Sequence, residues 1–452
     1  MNALHRSSSN INLCCILGSM DYPRTTKRDA RCPVDKPYLC GTTTISRGLC
    51  VADPAECDVR APGPRPVPTI AVAGADAGAA YGYIDAFLGQ HSYVAPAALT
   101  VDYEARFPDG EPVPPTFSLL NYNMWGLARK ESQRRLFRLR KDFLQATIAD
   151  TGADIICLQE MSAFAFHEMR PFIESYKFAS EIPYPATEVE RNRSVDTYCL
   201  SRYKPSRIAT YGIPGVLGYS NCFTVLEFPN LVVINLYSQA GSKYSPGQGS
   251  KWIHYARARY DILESIYHLI VRDYSGVSTI LCGDFNCDLD GTLEEWPELE
   301  MMQMMKDDGF KDTFRYLYPD EPGYTEDTDL NHMRWNQKLM YKQYRYDAIL
   351  YRRMGVGRWA PRASRIIGTE SVYLNAVDSA WFLSEISEAE GPALLHGVAA
   401  DAEGQMILPI NPSDHFGVLT QFGTPVRRFT RKSRKSRKSR KTLRRGTQEV
   451  LL

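Results

Sequence analysis

Two mixed β-sheets packed face to face, with helices on the outside, form the α/β arrangement that this sequence predicts. Three observations carry the prediction. Short apolar runs of strand length are interleaved with longer amphipathic stretches, without the strict strand–helix–strand rhythm of an all-parallel sheet. One pair of runs, 223–228 and 231–236, is separated by Pro229-Asn230 alone and reads as a β-hairpin. Several runs also finish in an Asn, Asp or Glu at the point where a loop must follow.

Taken in order, residues 117–125 read as the first strand. Residues 131–150 place Leu136, Leu139, Phe143, Leu144 and Ile148 at helical spacing. Residues 154–160 form a short buried strand and 197–201 another. The hairpin follows, then an amphipathic helix over 252–271. Strands at 278–283, 346–351 and 416–422 complete the reading. The folded domain is placed at 116–424.

The flanks differ in kind. The chain has 452 residues, and at roughly 150 residues per domain this means about three domains, or one large one with extensions. Hydrophobic residues are 44% and charged residues 23%, which excludes wholesale disorder, a collagen-like chain and a disulfide miniprotein. No apolar stretch reaches the ~18 residues of a membrane span. Residues 1–60 are read as a leader and a small Cys-rich segment. The apolar run 11–18 is interrupted by Asn12 and lacks a small-residue cleavage site, so a disordered leader is favoured over a secretory signal. Cys32, Cys40, Cys50 and Cys57 are too evenly spread for the paired spacing of zinc ribbons, which leaves a two-bridge staple or four free thiols. Cys157, Cys199, Cys222 and Cys282 sit in apolar runs and read as small buried hydrophobes. Residues 61–115, rich in Pro, Ala and Gly, read as a linker.

Charge separates the last segment. The net charge is +1, but twelve Lys or Arg fall between Arg427 and Gly446 with no acid among them, so the rest of the chain carries −11. Residues 425–452 are a disordered basic tail, suited to nucleic acid, an anionic membrane surface or an import receptor, with serines whose phosphorylation would lower its charge. The compartment is unspecified: the cysteines lean toward an oxidising or virion setting, the tail toward nuclear or nucleic-acid contact.

The polar strand ends suggest chemistry. In chain order they are Asn123, Gln159-Glu160, Asp284 with Asn286, Asp347, and Asp414-His415. Singly, each is a turn or strand cap. As a set they supply hard oxygen ligands, a carboxylate-held imidazole and amide donors. Attack on a phosphodiester loads charge on the phosphate oxygens; Mg²⁺ neutralises it through carboxylate and water ligands. An amide donates to the pentacovalent phosphate without adding charge.

In Tyr122-Asn-Met-Trp125, Leu158-Gln-Glu160, Gly283-Asp-Phe-Asn286, Arg345-Tyr-Asp347 and Ser413-Asp-His415, the chain resembles the successive motifs of the endonuclease/exonuclease/phosphatase, or DNase I-like, superfamily. The resemblance implies a four-layer α/β sandwich and a hydrolase. It implies Glu160 as the main Mg²⁺ ligand (Mn²⁺ being an alternative), with Asn123 and Asp414 beside the metal. It further implies Asp284 to orient or activate water, Asn286 to stabilise the transition state, His415 to pair with phosphate or act as base, and Asp347 to hold His415. One position departs: Tyr237 stands where most branches carry a His, as in the Tyr-x-x-x-Ala-Gly context of AP endonucleases; compare Tyr237-Ser-Gln-Ala-Gly241. An impaired site is one reading of that change.

Substrate is less constrained. The stretch 323–331, with Asn331, resembles tyrosyl-DNA phosphodiesterases of the second type, and Arg202 and Lys204 are candidates for phosphate contact. Three readings stand: a nucleic-acid phosphodiesterase, supported by the basic tail; a sphingomyelinase-like lipid hydrolase, with 379–383 as an apolar loop; and a binding or virion protein without catalysis. The cysteine spacing resembles short modules of large DNA virus proteins.

Overall fold

The computed structural model describes residues 38–39, 50–51, 100–126, 128, 130–176, 178–179, 197–214, 220–242, 252–333, 342–354, 359–385 and 397–424. The chain divides into two compact units, Met1–Gly74 with Pro392–Leu394, and Ala75–Gly391 with Leu395–Leu452. In the first, the described residues form one antiparallel pair, Tyr38–Leu39 with Cys50–Val51. The side chains of the cysteine segment, the leader and the basic tail lie outside the described residues.

The second unit holds two large mixed sheets. One runs, in spatial order, Ala360–Ile367, Gly417–Gly423, Phe117–Asn123, Ile155–Gln159, Thr197–Ser201 and Phe178–Ala179. The other runs Lys311–Asp312, Asp347–Arg352, Thr279–Asp284, Leu231–Tyr237, Ser220–Phe228, Arg207–Pro214 and Thr100–Arg106. Each has one parallel pairing at its centre, Phe117–Asn123 with Ile155–Gln159 and Leu231–Tyr237 with Thr279–Asp284.

Side-chain alternation makes the layers. On Phe117–Asn123, Leu119 faces the second sheet and joins Ile155, Val233, Ile280 and Ile349 in a core between the sheets. Its neighbour Leu120 faces outward, onto Phe137, Leu144 and Ile148 of the helix Glu131–Ala149 and Met169 of the helix Ala163–Glu174. The helices Trp252–Asp273 and Leu299–Asp307 cover the outer face of the other sheet through Leu263, Ile266, Met301 and Met305. Helix, sheet, sheet and helix are therefore four successive layers. Central strands buried on both faces read as continuous apolar runs, which is why the sequence reveals them. Cys157, Cys199, Cys222 and Cys282 are buried. Among the described residues no helix is long and apolar enough to cross a membrane.

The structure adds elements that the sequence reading lacks: the strands Thr100–Arg106, Arg207–Pro214 and Ala360–Ile367, and the helix Ala163–Glu174. Two of those strands are sheet edges, with one side in water. Thr100–Arg106 also moves a boundary. It pairs with Arg207–Pro214, so the sheet begins inside the stretch 61–115 read as linker, and the folded domain starts at or before Thr100 rather than near 116.

Candidate active site

The topology brings the polar strand ends to one edge. Asn123, Gln159, Tyr237 and Asp284 close their strands at the C-terminal end, and the registers align Asn123 with Gln159 and Tyr237 with Asp284. Asp347 opens an antiparallel strand opposite Asp284, and His415 precedes the antiparallel strand Gly417–Gly423. Polar residues far apart in sequence thus meet because antiparallel neighbours begin where parallel ones end.

Beneath this edge the two sheets are joined by buried side-chain amides. Gln159 Nε2 donates to Asn121 Oδ1 at 2.8 Å and to Asn235 Oδ1 at 2.6 Å. Asn121 Nδ2 donates to the Gly283 carbonyl at 3.0 Å, and Asn235 Nδ2 to the carbonyls of Leu158 and Tyr198 at 3.0 and 3.1 Å. Gly283 is required here: a Cβ would lie 2.0 Å from the Leu236 carbonyl oxygen, at a φ of +152°. The sequence reading missed this network. Its signal was Asn121 two residues before Asn123, and Asn235 two before Tyr237, polar residues inside otherwise apolar strands.

Above it, Asn123 touches both sheets' carboxylates. Its Nδ2 donates to Asp284 Oδ2 at 2.9 Å and to Glu160 Oε1 at 3.3 Å. Tyr237 also donates its hydroxyl to Glu160 Oε1, at 3.0 Å. Asn286 donates its backbone N–H to Asp284 Oδ1 at 2.8 Å and its amide to Asp284 Oδ2 at 3.0 Å. His415 Nδ1 lies 2.8 Å from Asp347 Oδ2. Ser413 Oγ donates to the Asn123 carbonyl at 2.7 Å, which ties the Asp414-His415 loop to the first strand. Among the described residues, the non-glycine residues with positive φ, Trp125, Glu160 and Asn286 (49°, 56° and 50°), all lie on this edge. Such backbone is disfavoured for L side chains and concentrates where side chains must be aimed.

The electrostatics suit a cation. Burial, and then the nearby Asp414 charge, raise the Glu160 carboxyl above its ordinary value. Burial, and then the facing Asp347, push Asp284 up to about 8. Burial alone would lower His415, but the Asp347 carboxylate, and then Asp284, outweigh it and raise the imidazole above its ordinary value. Glu160 Oε2 is buried with no hydrogen-bond partner. An orphaned carboxylate oxygen beside an Asn and a second acid is the donor set of a hard divalent ion. Asp284, Asp347 and His415 form a further group, with one ligand atom each within 4.8 Å of the others.

The structure therefore brings together Asn123, Glu160, Tyr237, Asp284, Asn286, Asp347, Asp414 and His415. Three expected substrate contacts do not join them. Arg202 follows Ser201, which pairs with Ile155 at the far end of that strand from Glu160, and lies 3.9 Å from Asp154 and against the Tyr176 ring. An antiparallel strand that starts at the site ends away from it, so Arg202 and Lys204 lie at the opposite edge. Asn331 is fully buried; its amide donates to the Ser413 carbonyl at 3.0 Å and its Oδ1 accepts from Met333 N–H at 2.8 Å. It holds the Asp414-His415 loop from behind rather than facing substrate.

Residues 120–297 match the family described as "Endonuclease/Exonuclease/phosphatase family". That span contains Asn123, Glu160, Tyr237, Asp284 and Asn286, so the superfamily resemblance read from the motifs is borne out over this part of the chain. No curated protein matches. Among solved structures, D. rerio TDP2 complexed with single-strand DNA product shares 17% identity, with 69% of this chain and 100% of that chain covered and a TM-score of 0.44. Truncated Caenorhabditis elegans TDP2 shares 15%, covering 68% and 98%, with a TM-score of 0.43. Sphingomyelinase C from Streptomyces griseocarneus shares 17%, covering 68% and 99%, with a TM-score of 0.42.

Proposed function

We propose, from the premise of an endonuclease/exonuclease/phosphatase hydrolase, that this chain is a divalent-metal-dependent phosphodiesterase acting on nucleic acid, as a nuclease or a strand-end processing enzyme. The observation that carries the reading is the contact of one amide, Asn123, with both Glu160 and Asp284. It fixes the distance between a cation-binding half on one sheet and a water-handling half on the other.

Glu160, Asn123 and Asp414 would hold Mg²⁺ or Mn²⁺, which supplies charge neutralisation on the phosphate oxygens when bound. Tyr237 aims Glu160 by its hydroxyl bond, so the Tyr in place of His serves the carboxylate and takes no part in proton transfer. Asp284, held by the Asn286 backbone, orients the attacking water. His415, fixed by Asp347, is placed to donate to a phosphate oxygen or to act as base. Asn286 spends its amide hydrogens on Asp284 and the Ser238 carbonyl, so it acts by holding Asp284 in place. Support for nucleic acid comes from the basic tail, whose twelve Lys or Arg give sequence-independent phosphate affinity.

A lipid reading has one observation of its own. The segment 379–383 lies in the helix Ala376–Glu385, where Val377 is 75% exposed, and Tyr373 nearby is 52% exposed. The strand Val372–Tyr373 pairs with Pro409–Ile410, immediately before the loop that carries Asp414 and His415.

Parallel hydrolysis of single- and double-stranded DNA, a 5′-tyrosyl oligonucleotide, RNA and sphingomyelin vesicles, with Mg²⁺ and with EDTA, tests the reading. We expect metal-dependent turnover of a nucleic acid, lost by roughly 10²–10⁴-fold in His415→Ala and at least as far in Glu160→Gln. Turnover of sphingomyelin alone would transfer the assignment to lipid. A well-folded protein that cleaves nothing would favour a binding or virion role.

A further inference from the structure

We infer that Arg140 and Arg259, one in each helical layer, are paired positioning residues: the first sets the metal-holding loops and the second the phosphate-side loops. The inference rests on the metal-dependent hydrolysis proposed above.

Both arginines occupy core positions of their helices and are 1% exposed. Arg140 falls in the buried stripe Phe137, Arg140, Leu144 and Ile148. Its Nη1 donates to the Met124 carbonyl at 2.9 Å and also to the Pro412 carbonyl; its Nη2 donates to the Trp125 carbonyl. Met124 and Trp125 follow Asn123, and Pro412 lies two residues before Asp414. One guanidinium therefore spans the two loops that carry these residues. The Trp125 and Phe137 rings lie 5.2 and 4.9 Å from it.

Arg259 does the same on the other sheet. Its Nη1 donates to the carbonyls of Gln239 and Gly241 at 2.9 and 2.6 Å. Its Nε bonds Glu298, itself fully buried. Gln239 adjoins Ser238, whose carbonyl accepts the Asn286 amide at 2.9 Å, and Ser238 follows Tyr237. Arg259 thus fixes the loop against which Asn286 is set.

The physical logic is common to both. Loop carbonyls turned inward at a buried edge need donors. A planar fork with five N–H groups joins several of them at fixed angles; an ammonium keeps the charge but loses the fork. Neither guanidinium is placed to touch substrate, so their effect passes through the loops.

The test uses Arg140→Lys, Arg259→Lys and, as control, Arg352→Lys. Arg352 is 4% exposed and bonds Asp308 and the Tyr274 carbonyl at the far end of the strand Asp347–Arg352. Mn²⁺ affinity is measured by calorimetry, steady-state kinetics on whichever substrate the wild type cleaves, and melting temperature for all. We expect Arg140→Lys to weaken Mn²⁺ binding about 10-fold or more, within the 10–100-fold range for outer-shell partners of a metal site. Arg259→Lys should leave Mn²⁺ affinity within twofold and lower kcat with little change in KM. Arg352→Lys should lower the melting temperature alone. The inference is overturned if the Arg140 and Arg259 variants lose affinity and kcat together, or if both follow the control. Absence of Mn²⁺ binding or turnover in the wild type would instead remove the functional reading beneath it.

Discussion

The space between the two sheets has an apolar end and a polar end, held by different physics. At the apolar end, Phe117, Phe228, Leu231, Trp359 and Phe422 pack together. Phe117 and Phe422 stack with centroids 4.8 Å apart, and Trp359 meets Phe422 edge-on at 5.2 Å. Such contacts are non-directional and accept small changes of shape. At the polar end, Asn121, Gln159 and Asn235 join the sheets by hydrogen bonds that work at one relative position only. The apolar end supplies cohesion. The polar end sets register, and the site stands on it.

The sharpest way to break this contrast is Gln159→Leu, which strands Asn121 Oδ1 and Asn235 Oδ1 away from water. Each unsatisfied oxygen costs about 1–3 kcal/mol. We expect a clearly lower denaturation midpoint and a fall in kcat of the remaining folded enzyme. Ile280→Val, in the same interior but on the apolar side, should cost about 0.5–1.5 kcal/mol and leave kcat unchanged. Equal loss of kcat in both would show that the two ends are not distinct.

A smaller effect sharpens the polar end electrostatically. Asp284 moves from 3.8 to about 8 on folding, through burial and the facing Asp347, so the metal-free fold keeps a proton that the unfolded chain releases. A raised carboxyl contributes stability below its unfolded value and loses it as pH climbs through the folded one. The metal-free protein should therefore lose stability between about pH 4 and 8. A bound cation competes for the same charge, so the Mg²⁺-induced rise in melting temperature should grow with pH, with protons released on binding in calorimetry. A metal response independent of pH would sink this account. The smallest effect belongs to the wrong edge: Arg202→Gln should leave kcat and KM unaltered, and a marked rise in KM would restore the substrate role that the topology removes.

The site was legible because chemistry limited it to residue types that stand out in apolar strands: Asn123, Glu160, Asp284, Asp347 and His415 each interrupt or end such a run. What lay behind them was less so. Asn121 and Gln159 face the other sheet, and only the packing of one sheet on the other, which brings Asn121 to Gly283 across 162 residues of sequence, reveals a partner. Arg202 misled because a basic residue after a short strand gives no sign of which end of the sheet it occupies. Edge strands escaped for a related reason. Ala360–Ile367 carries Pro361 and exposed Arg362 and Arg365, a composition that suits one wet side and hides the strand.

The strand Thr100–Arg106 has a meaning for solubility. Its neighbour, Arg207–Pro214, presents the buried side chains of Ile208, Ala209 and Tyr211. A chain shortened to begin at 116 would leave one edge of that strand's backbone unpaired, an invitation for another copy to add a strand there. Thr100–Arg106 occupies the position instead and brings Glu104 and Arg106, paired at 2.6 Å, to the outer margin. The segment that sequence composition marks as dispensable is a sheath against self-association.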